Sequence, residues 1–197
     1  MDVIKTDFEQ VIYSRRSIRR YKQEPVSEDT LKKLIDYARL APAGMNFQAI
    51  EYILVLDPDK REKLFPLLSY AAALPKEKRT PEEGRRPTAY IIVLQNTDIK
   101  DAKSAAFDVG AAVENILLGA VNHRLAACWV GSIKRRKIRD LFDIPKNYDI
   151  KHVISLGVPD EESSTEEYDD LFKYWKDEEG NMHVPKRELD DVIKEII

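Results

Sequence analysis

The chain begins with two stretches whose apolar residues recur at the spacing of a helix. The first follows a capping-box pattern formed by Thr6 and Glu9, and it is expected to end near Ser14. The second follows Ser27, a residue type that caps helices, and stops at Pro42. Its apolar stripe consists of Leu31, Leu34, Ile35 and Ala38. We therefore expect two amphipathic helices, each with one buried face.

Four short apolar runs are typical of β-strands. The run at 88–94, TAYIIVL, is nearly continuous, as in a strand that is covered on both faces. A charged, proline-rich segment at 75–87 precedes it and is expected to be an exposed, mobile loop. The predicted strands span 51–56, 88–94, 125–131 and 151–158.

The longest predicted helix, 101–124, contains AAFDVGAAVENILLGAV and is apolar almost all round. Such a helix must be buried in a core or against another subunit. A shorter helix is predicted at 60–73, interrupted or bent near Pro66. Another is predicted at 134–142, where the basic residues form a solvated face.

The composition changes after Pro159. The acidic stretch 160–170 is expected to be mobile, and 172–184 places aromatic residues around a DEEGN turn, which predicts a hairpin. Pro185 is expected to open a final amphipathic helix. Its apolar residues are Leu189, Val192, Ile193 and Ile196. We expect a single domain, 1–197, in which the residues from about 160 form an extension too loosely tied to stand alone.

Composition narrows the possible function classes. The 197 residues are 43% hydrophobic and 34% charged, which is typical of a soluble globular protein. A formal net charge of −3 and a pI near 5.8 argue against a dedicated nucleic-acid binder. No apolar run reaches the length of a membrane span, and no secretory signal is visible. We therefore expect a cytoplasmic protein without a membrane or nucleic-acid partner.

Cysteine and histidine give no indication of a metal site. Cys128 is the only cysteine, which excludes an intrachain disulfide and a cysteine-rich metal site, and its apolar surroundings predict an inert side chain. The histidines, His123, His152 and His183, stand far apart without metal-ligand spacing. We expect each of them to have a surface or core role.

A cluster of cations follows the first predicted helix. It consists of Arg15, Arg16, Arg19, Arg20 and Lys22, with the hydroxyl of Ser17 among them. Clustered like charges repel one another and destabilise a fold unless an anion neutralises them. A guanidinium can bind phosphate through two parallel hydrogen bonds. A phosphate-bearing ligand is the first hypothesis, and the cluster alone leaves a solvated basic turn open. Because the chain has neither GxGxxG nor GxxxxGK[ST], the phosphate would be held by side chains.

Five motifs resemble landmarks of the nitroreductase family of FMN-dependent oxidoreductases, in the same order and over nearly the whole chain. They are RRSIR (15–19), APAGMNFQ (41–48), DVGAAVENILLGA (108–120), ACWVGS (127–132) and PKREL (185–189). The resemblance implies an α+β fold, a mixed β-sheet flanked by helices, in an intertwined homodimer. It also implies one FMN at each of two interface sites and a C-terminal extension that wraps the partner subunit.

Matching the motifs residue by residue gives the cofactor contacts that the resemblance implies. Arg15, Arg16 and Ser17 would hold the FMN phosphate and ribityl chain. Arg19 would lie near the N1/O2 edge of the isoalloxazine, where a guanidinium stabilises the negative charge of reduction. No side chain is expected to be catalytic, because flavin N5 carries the chemistry. The other expected contacts are Pro42, Ala43, Gly44, Asn46 and Gln48 from the other subunit, Val130 and Gly131 near N5, and Lys186 and Arg187, one or both at the phosphate.

The resemblance implies an enzyme that takes hydride from NADH or NADPH and reduces electron-poor acceptors, such as nitroaromatics and quinones, by a ping-pong mechanism. Two departures concern the cavity walls: Ala43 stands where the family usually has serine, and Ala49-Ile50 where it often has Pro-Trp. Two alternatives stay open. One is a related flavin enzyme (a dehalogenase, enoate reductase or flavin destructase), and the other is a non-enzymatic flavin-binding protein.

Overall fold

Five strands form the central sheet of the protein. In the computed structural model, which describes residues 8–101 and 105–197, β5 pairs with β1, β3 and β4, and β3 pairs with β2. All four of these pairings are antiparallel. The strands are β1 (Tyr21–Lys22), β2 (Ile50–Val55), β3 (Ala89–Asn96), β4 (Ala126–Val130) and β5 (Tyr148–Pro159). The four strands predicted from apolar runs are β2 to β5, and they are confirmed.

Each face of the sheet carries its own core. On β3, Tyr90 and Ile92 pack into one hydrophobic cluster, whereas Ala89 and Ile91 pack into the other. This alternation explains why β3 is apolar at nearly every position, since side chains on both faces are buried.

Two helices cover the face with Ala89 and Ile91, which we call the first face; the face with Tyr90 and Ile92 is the second. α2 (Glu28–Arg39) begins where the Ser27 hydroxyl accepts a hydrogen bond from the Thr30 amide, as the sequence predicts. α5 (Ala106–Asn122) packs against α2, and α1 (Phe8–Ser14) contacts α5. The expected start of α5 at Asp101 is wrong, because Asp101 is not helical and the described part of the helix begins at Ala106.

One large apolar side chain of α5 is uncovered by the described residues. Phe107 is 90% exposed, so this helix is buried on one side and apolar on another. The predicted capping residue Thr6 lies outside the described residues, whereas α1 itself ends at Ser14 as expected. Within the described part of the chain, no helix has the length and apolarity needed to cross a membrane.

Two shorter helices cover the second face. α3 (Pro58–Leu64) is capped by the Asp57 side chain, and a single 3-10 turn, Phe65–Leu67, follows it. The predicted helix at 60–73 is therefore wrong in both bounds. A proline inside a helix removes a hydrogen bond and clashes with the preceding turn, so the α-helix ends before Pro66 rather than bending there. α6 (Arg135–Phe142) packs its buried Ile138 on the same core, close to its predicted bounds.

The segment at 75–87 is attached to the rest of the chain, contrary to the expectation of a mobile loop. It contains a short helix, α4 (Lys76–Arg79), and a buried proline, Pro81. The carbonyl of Arg85 accepts a hydrogen bond from the Tyr21 amide at 3.0 Å. Composition alone does not indicate such backbone contacts.

The C-terminal extension forms a second sheet of three strands. These are β6 (Ser163–Glu167), β7 (Trp175–Lys176) and β8 (Met182–Lys186). β7 and β8 are antiparallel, which confirms the predicted hairpin, and β6 lies parallel to β8. Met182 is buried in the core of the second face and ties this sheet to the first.

Two expectations about this extension are wrong. The acidic stretch at 160–170 contains β6, because β8 supplies the hydrogen-bonding partner for its backbone. Pro185 lies inside β8 instead of opening a helix, and α7 (Leu189–Val192) spans only four residues. A helix this short is unstable alone, and its Leu189 is 68% exposed, so the described residues give it little packing support.

The close approach of α5 and α2 depends on a glycine. A Cβ at Gly119 would lie 2.6 Å from Cδ2 of Tyr37 and 3.0 Å from Cδ2 of Leu34. We expect Gly119→Ala to lower the free energy of unfolding by about 1–3 kcal/mol in a urea titration, because an overpacked core must shift.

Gly110→Ala in the same helix is the matched control. Outside its own helix backbone, a Cβ there meets no atom of the described residues within 4 Å, so this variant should lose no stability. Equal stability of the two variants would contradict the packing argument.

Candidate active site

The cation segment leaves α1 and runs beside β4. The backbone of Ser17 forms a parallel bridge with Ala127, and the Ile18 amide donates to the Ala127 carbonyl at 3.1 Å. Ile18 is buried, whereas Arg15, Arg16 and Arg19 are half-buried around it. The segment is thus held by its backbone, and its guanidinium groups are presented at fixed positions.

A cavity of about 470 Å³, which we call the arginine cavity, brings the two ends of the chain together. It is lined by four cations, Arg15, Arg16, Lys186 and Arg187. The other polar side chains that line it are Thr165, Glu166, Glu167 and Glu188. The parallel pairing of β6 with β8 places Lys186 opposite Glu167 at the mouth of this cavity. Ser17 does not line it.

Arg16 leaves one buried donor of its guanidinium unpaired among the described residues. Its Nη1 donates to the Arg15 carbonyl at 2.7 Å, and its Nη2 lies 3.4 Å from the Thr165 hydroxyl. Within the described residues, its buried Nε has no hydrogen-bond partner. Burial, and then the neighbouring charge of Arg15, lower the pKa of the Arg16 guanidinium. An anion bound in the cavity would offset both the cost of burying this charge and its repulsion from Arg15.

The other cavity cations have weak or backbone partners. Nε of Arg15 lies 3.5 Å from the carboxylate of Glu114, which is itself half exposed. Arg187 donates to the carbonyl of Asp191. Exposed ion pairs contribute little, and the cavity keeps only a small excess of positive charge, because its four cations face three carboxylates, Glu166, Glu167 and Glu188.

Arg19 lies apart from this cavity. Its amide donates to the Glu161 carboxylate at 2.6 Å, and its Nη1 donates to the Ser17 carbonyl at 3.1 Å. Its guanidinium carbon lies 5.5 Å from the centroid of the Tyr174 ring, a cation–π distance. The buried Nε of Arg19 also lacks a hydrogen-bond partner among the described residues.

The loop between α2 and β2 has a strained backbone. Met45, Asn46 and Gln48 have φ values of 53°, 56° and 51°, in the left-handed region that side chains with a Cβ rarely adopt. Residues in such conformations persist where the surroundings hold them, often at ligand sites. Pro42, Gly44, Asn46 and Gln48 are exposed, so the loop is open to a partner or ligand.

Asp108 holds this loop from below. Its Oδ1 accepts the Gly44 amide at 3.0 Å, and its Oδ2 pairs with Lys100 Nζ at 2.8 Å. Burial would raise the pKa of Asp108, but these hydrogen bonds lower it, so the group is a carboxylate. A second cavity of about 200 Å³ is lined by Pro42, Ala43 and Gln48 together with Asp108. It shares no lining residue with the arginine cavity.

The end of β4 is a third region, separate from the two cavities. Val130 is the last residue of the strand, and Gly131 follows it. Val130 is buried in the core, and Gly131 is exposed. Beside them, the rings of Trp129 and His152 meet edge to face at 5.1 Å. Burial, with Arg135 and Lys151 acting in the same direction, lowers the pKa of His152, so this imidazole is neutral at neutral pH.

The remaining histidines and the cysteine have structural surroundings. His123 stacks on Tyr37 and hydrogen-bonds its hydroxyl at 3.2 Å. Burial raises the pKa of the Cys128 thiol, which disfavours the reactive thiolate. Among the described residues, no group of three or more metal-ligating side chains occurs.

Sequence reasoning missed two residues of this region. Thr165 lines the arginine cavity, and Glu161 receives the Arg19 amide. Both lie in the acidic stretch that composition marked as mobile. No sequence signal could have found them, because they lie near the cation cluster only through contacts between distant parts of the chain.

His183 joins the three strands of the second sheet. Its Nδ1 pairs with Glu166 on β6, and its Nε2 lies 3.2 Å from Asp177 after β7. Its ring stacks on Trp175 with centroids 4.1 Å apart. The hydrogen bond to Asp177 raises the pKa of His183 against the opposing effect of burial, and Glu166 raises it further. His183 thereby holds β8, whose end carries Lys186.

Comparison with known proteins agrees with the motifs. A family model described as the Nitroreductase family matches residues 12–158. The chain is 31% identical over 168 residues to an Archaeoglobus fulgidus protein provisionally named NADH dehydrogenase/NAD(P)H nitroreductase, covering 82% of this chain and 91% of that protein. A Methanothermobacter thermautotrophicus protein of the same provisional name is 30% identical, covering 86% and 85%. The chain belongs to the nitroreductase family.

Solved structures share the fold. A protein named FMN-dependent nitroreductase from Clostridium difficile R20291 matches with a TM-score of 0.66 and 25% identity, covering 82% of this chain and 92% of that one. A provisionally named nitroreductase of Desulfovibrio desulfuricans, solved in complex with FMN, matches with a TM-score of 0.70 and 22% identity, covering 98% and 99%. The expected α+β fold is confirmed, with a main sheet whose strand pairs are antiparallel and whose two faces carry helices.

The ion pairs of His183 predict a pH-dependent stability. Because the folded pKa is raised, the contribution of His183 is full below its unfolded pKa, about 6.5, and is lost as the pH rises through the folded value. We expect the Tm difference between wild type and His183→Gln to shrink from pH 6 to pH 9.

His123→Gln is the control of opposite sign. Burial, and then the charge of Lys33, lower the pKa of His123, so its contribution is lost as the pH falls. A pH-independent difference for His183→Gln would contradict the proposed ion pairing.

Proposed function

We propose that the protein is an FMN-dependent oxidoreductase that takes hydride from NADH or NADPH and reduces electron-poor small molecules such as nitroaromatics and quinones. The arginine cavity carries this proposal, because it gathers four cations and because one buried guanidinium nitrogen, Nε of Arg16, has no hydrogen-bond partner among the described residues. Membership of the nitroreductase family, and relatives named for FMN and NAD(P)H, support the assignment.

The donor set fits a phosphate monoester. Guanidinium groups make paired, charge-assisted hydrogen bonds to phosphate oxygens, and an ammonium adds a point charge. Arg15, Arg16, Lys186 and Arg187 supply both kinds of donor, and the Thr165 hydroxyl supplies a neutral one. The volume of about 470 Å³ leaves room for a phosphate and the chain attached to it.

Bound FMN would supply a two-electron centre that accepts hydride from NAD(P)H and passes the electrons to an acceptor in the same cavity, which gives ping-pong kinetics. Arg19 would offer its guanidinium to the N1/O2 edge, where reduction adds negative charge. Ser17 would contact the ribityl chain. The ring would meet Pro42, Ala43, Gly44, Asn46 and Gln48 of the other subunit, and the backbone of Val130 and Gly131.

We propose that the working unit is a homodimer in which the whole chain, 1–197, forms one FMN-binding domain per subunit. Large apolar side chains are exposed along α1 and α5, among them Tyr13 at 74% and Phe107 at 90%. Contiguous exposed apolar surface is typical of an interface. The extension beyond about 160 would wrap the partner through its exposed apolar end. This end carries Leu189, Val192, Ile193 and Ile196.

An absorption spectrum is the direct test. The purified protein, saturated with FMN and desalted, should retain the flavin absorbance, lose it on anaerobic addition of NADH or NADPH, and regain it with a nitroaromatic or a quinone. Bound FMN that neither nucleotide bleaches would indicate a flavin-storage protein. Bleached flavin that neither acceptor reoxidises would favour a related flavin reaction, and no retained flavin would overturn the proposal.

Arg16 should be the most sensitive phosphate contact. We expect Arg16→Gln to weaken FMN binding by about 10- to 100-fold, the loss of a charged hydrogen-bonding group of about 1.5–3 kcal/mol. The measurement is the dissociation constant from quenching of flavin fluorescence.

Arg136→Gln is the matched control, since Arg136 is an exposed arginine on α6 that does not line the arginine cavity. Equal affinities of the two variants would contradict the placement of the phosphate.

A further inference from the structure

A buried carboxylate joins the cation segment to the C-terminal extension. One oxygen of Glu161 accepts the Arg19 amide at 2.6 Å. The other accepts Lys176 Nζ at 2.6 Å and Arg20 Nη1 at 3.3 Å. The side chains of Glu161 and Lys176 are only 3% and 4% exposed, so water does not screen these charges.

The buried charges around Glu161 do not cancel. Arg20, with a side chain 11% exposed, and Lys176 both pair with this single carboxylate, and Arg19 adds a third cation. The second partner of Arg20, Glu82, is 47% exposed and therefore screened. Burial lowers the pKa of Lys176 and its bond to Glu161 opposes this, while the charges of Arg20 and Arg19 lower it further. In the pairs made with Glu161 the cations therefore outnumber the carboxylate, and the Arg19 backbone bonds the same carboxylate.

The charges of Glu161 and Arg19 both act on the buried side chain of Cys128. The thiol of Cys128 has its pKa raised mainly by burial, but Arg19 lowers it and Glu161 raises it. Glu161 and Arg19 thus exert opposite electrostatic effects on one buried position of β4. A group placed against Arg19 from the other side would sense the same two charges.

We propose that Glu161 and Lys176 tune the reduction potential of the bound flavin by setting the electrostatic field at Arg19. The inference rests on the proposed function. Glu161 is a positioning residue, because it holds the Arg19 backbone and offsets part of the positive charge without contacting the reacting atoms. Because Glu161 already pairs with Arg20 and Lys176, it neutralises Arg19 only in part, and Arg19 can still stabilise a nearby negative charge.

The sign of each effect follows from charge balance. Hydride carries two electrons and one proton from NAD(P)H, which leaves as NAD(P)⁺, so the reduced cofactor holds one more negative charge than the oxidised one. Removing the negative charge of Glu161 favours that reduced form. Removing the positive charge of Lys176 disfavours it.

Four variants of the full-length, FMN-loaded protein test this, with potentials measured by anaerobic spectroelectrochemical titration. We expect Glu161→Gln to shift the equilibrium about tenfold toward reduced flavin, which is about 30 mV for a two-electron couple. We expect Lys176→Gln to shift it about tenfold the other way. The double variant should return close to wild type, because the two charges are removed together. Lys176→Arg keeps the charge and should leave the potential in place.

The outcomes separate this inference from the proposed function. Wild type that retains no FMN overturns both. Wild type that retains FMN and is bleached by NAD(P)H, with potentials unchanged or shifted in one direction in both single variants, overturns the tuning role alone and leaves Glu161 as a structural clip. If Glu161→Gln does not fold, the comparison of Lys176→Gln with Lys176→Arg decides, since equal potentials in those two variants also overturn it.

Discussion

The architecture depends on how a run of cations is kept in place without enough carboxylates to neutralise it. Arg16 donates to a backbone carbonyl and a threonine hydroxyl, and its buried Nε stays without a partner among the described residues. Desolvation makes this arrangement unfavourable for the protein alone. The same desolvation strengthens the attraction for a phosphate, because fixed donors in a poorly screened site need little rearrangement to bind it.

The second sheet is what turns this cluster into a cavity. β8 reaches the arginine segment only because β6 pairs with it in parallel and Met182 anchors it in the core. Two side chains then hold the sheet in place by charged contacts. His183 joins its strands through Glu166, and Glu161 joins it to the arginine segment through the Arg19 amide. The arginine cavity and the attachment of the extension are thus coupled in this fold, since Lys186 belongs to both.

Local patterns predicted the elements that local physics determines. β3 and α2 follow from apolar periodicity and a Ser27 cap, and both have the expected place in the structure. The helix predicted at 60–73 is interrupted at Pro66, as expected, but no α-helix resumes between it and 73, so the predicted end at 73 was wrong. Pro185 was misassigned because the pairing of β6 with β8 joins residues distant in sequence, which no local pattern encodes. The motif resemblance identified four cations that meet in one cavity, whereas Thr165 and Glu161 became visible only in three dimensions. Loop 42–48 and the end of β4 do not line the arginine cavity within the chain, and only the proposed homodimer would bring them to it.

The central claim is that the arginine cavity recognises a phosphate monoester attached to a flavin. The most direct measurement compares the dissociation constants of FMN and riboflavin for the wild-type protein at low and at high salt. The account predicts that FMN binds at least about 100-fold more tightly at low salt, because several charged hydrogen bonds are made only to the phosphate, and that salt narrows the difference. Equal affinity for the two flavins, or a preference unaffected by salt, would contradict it.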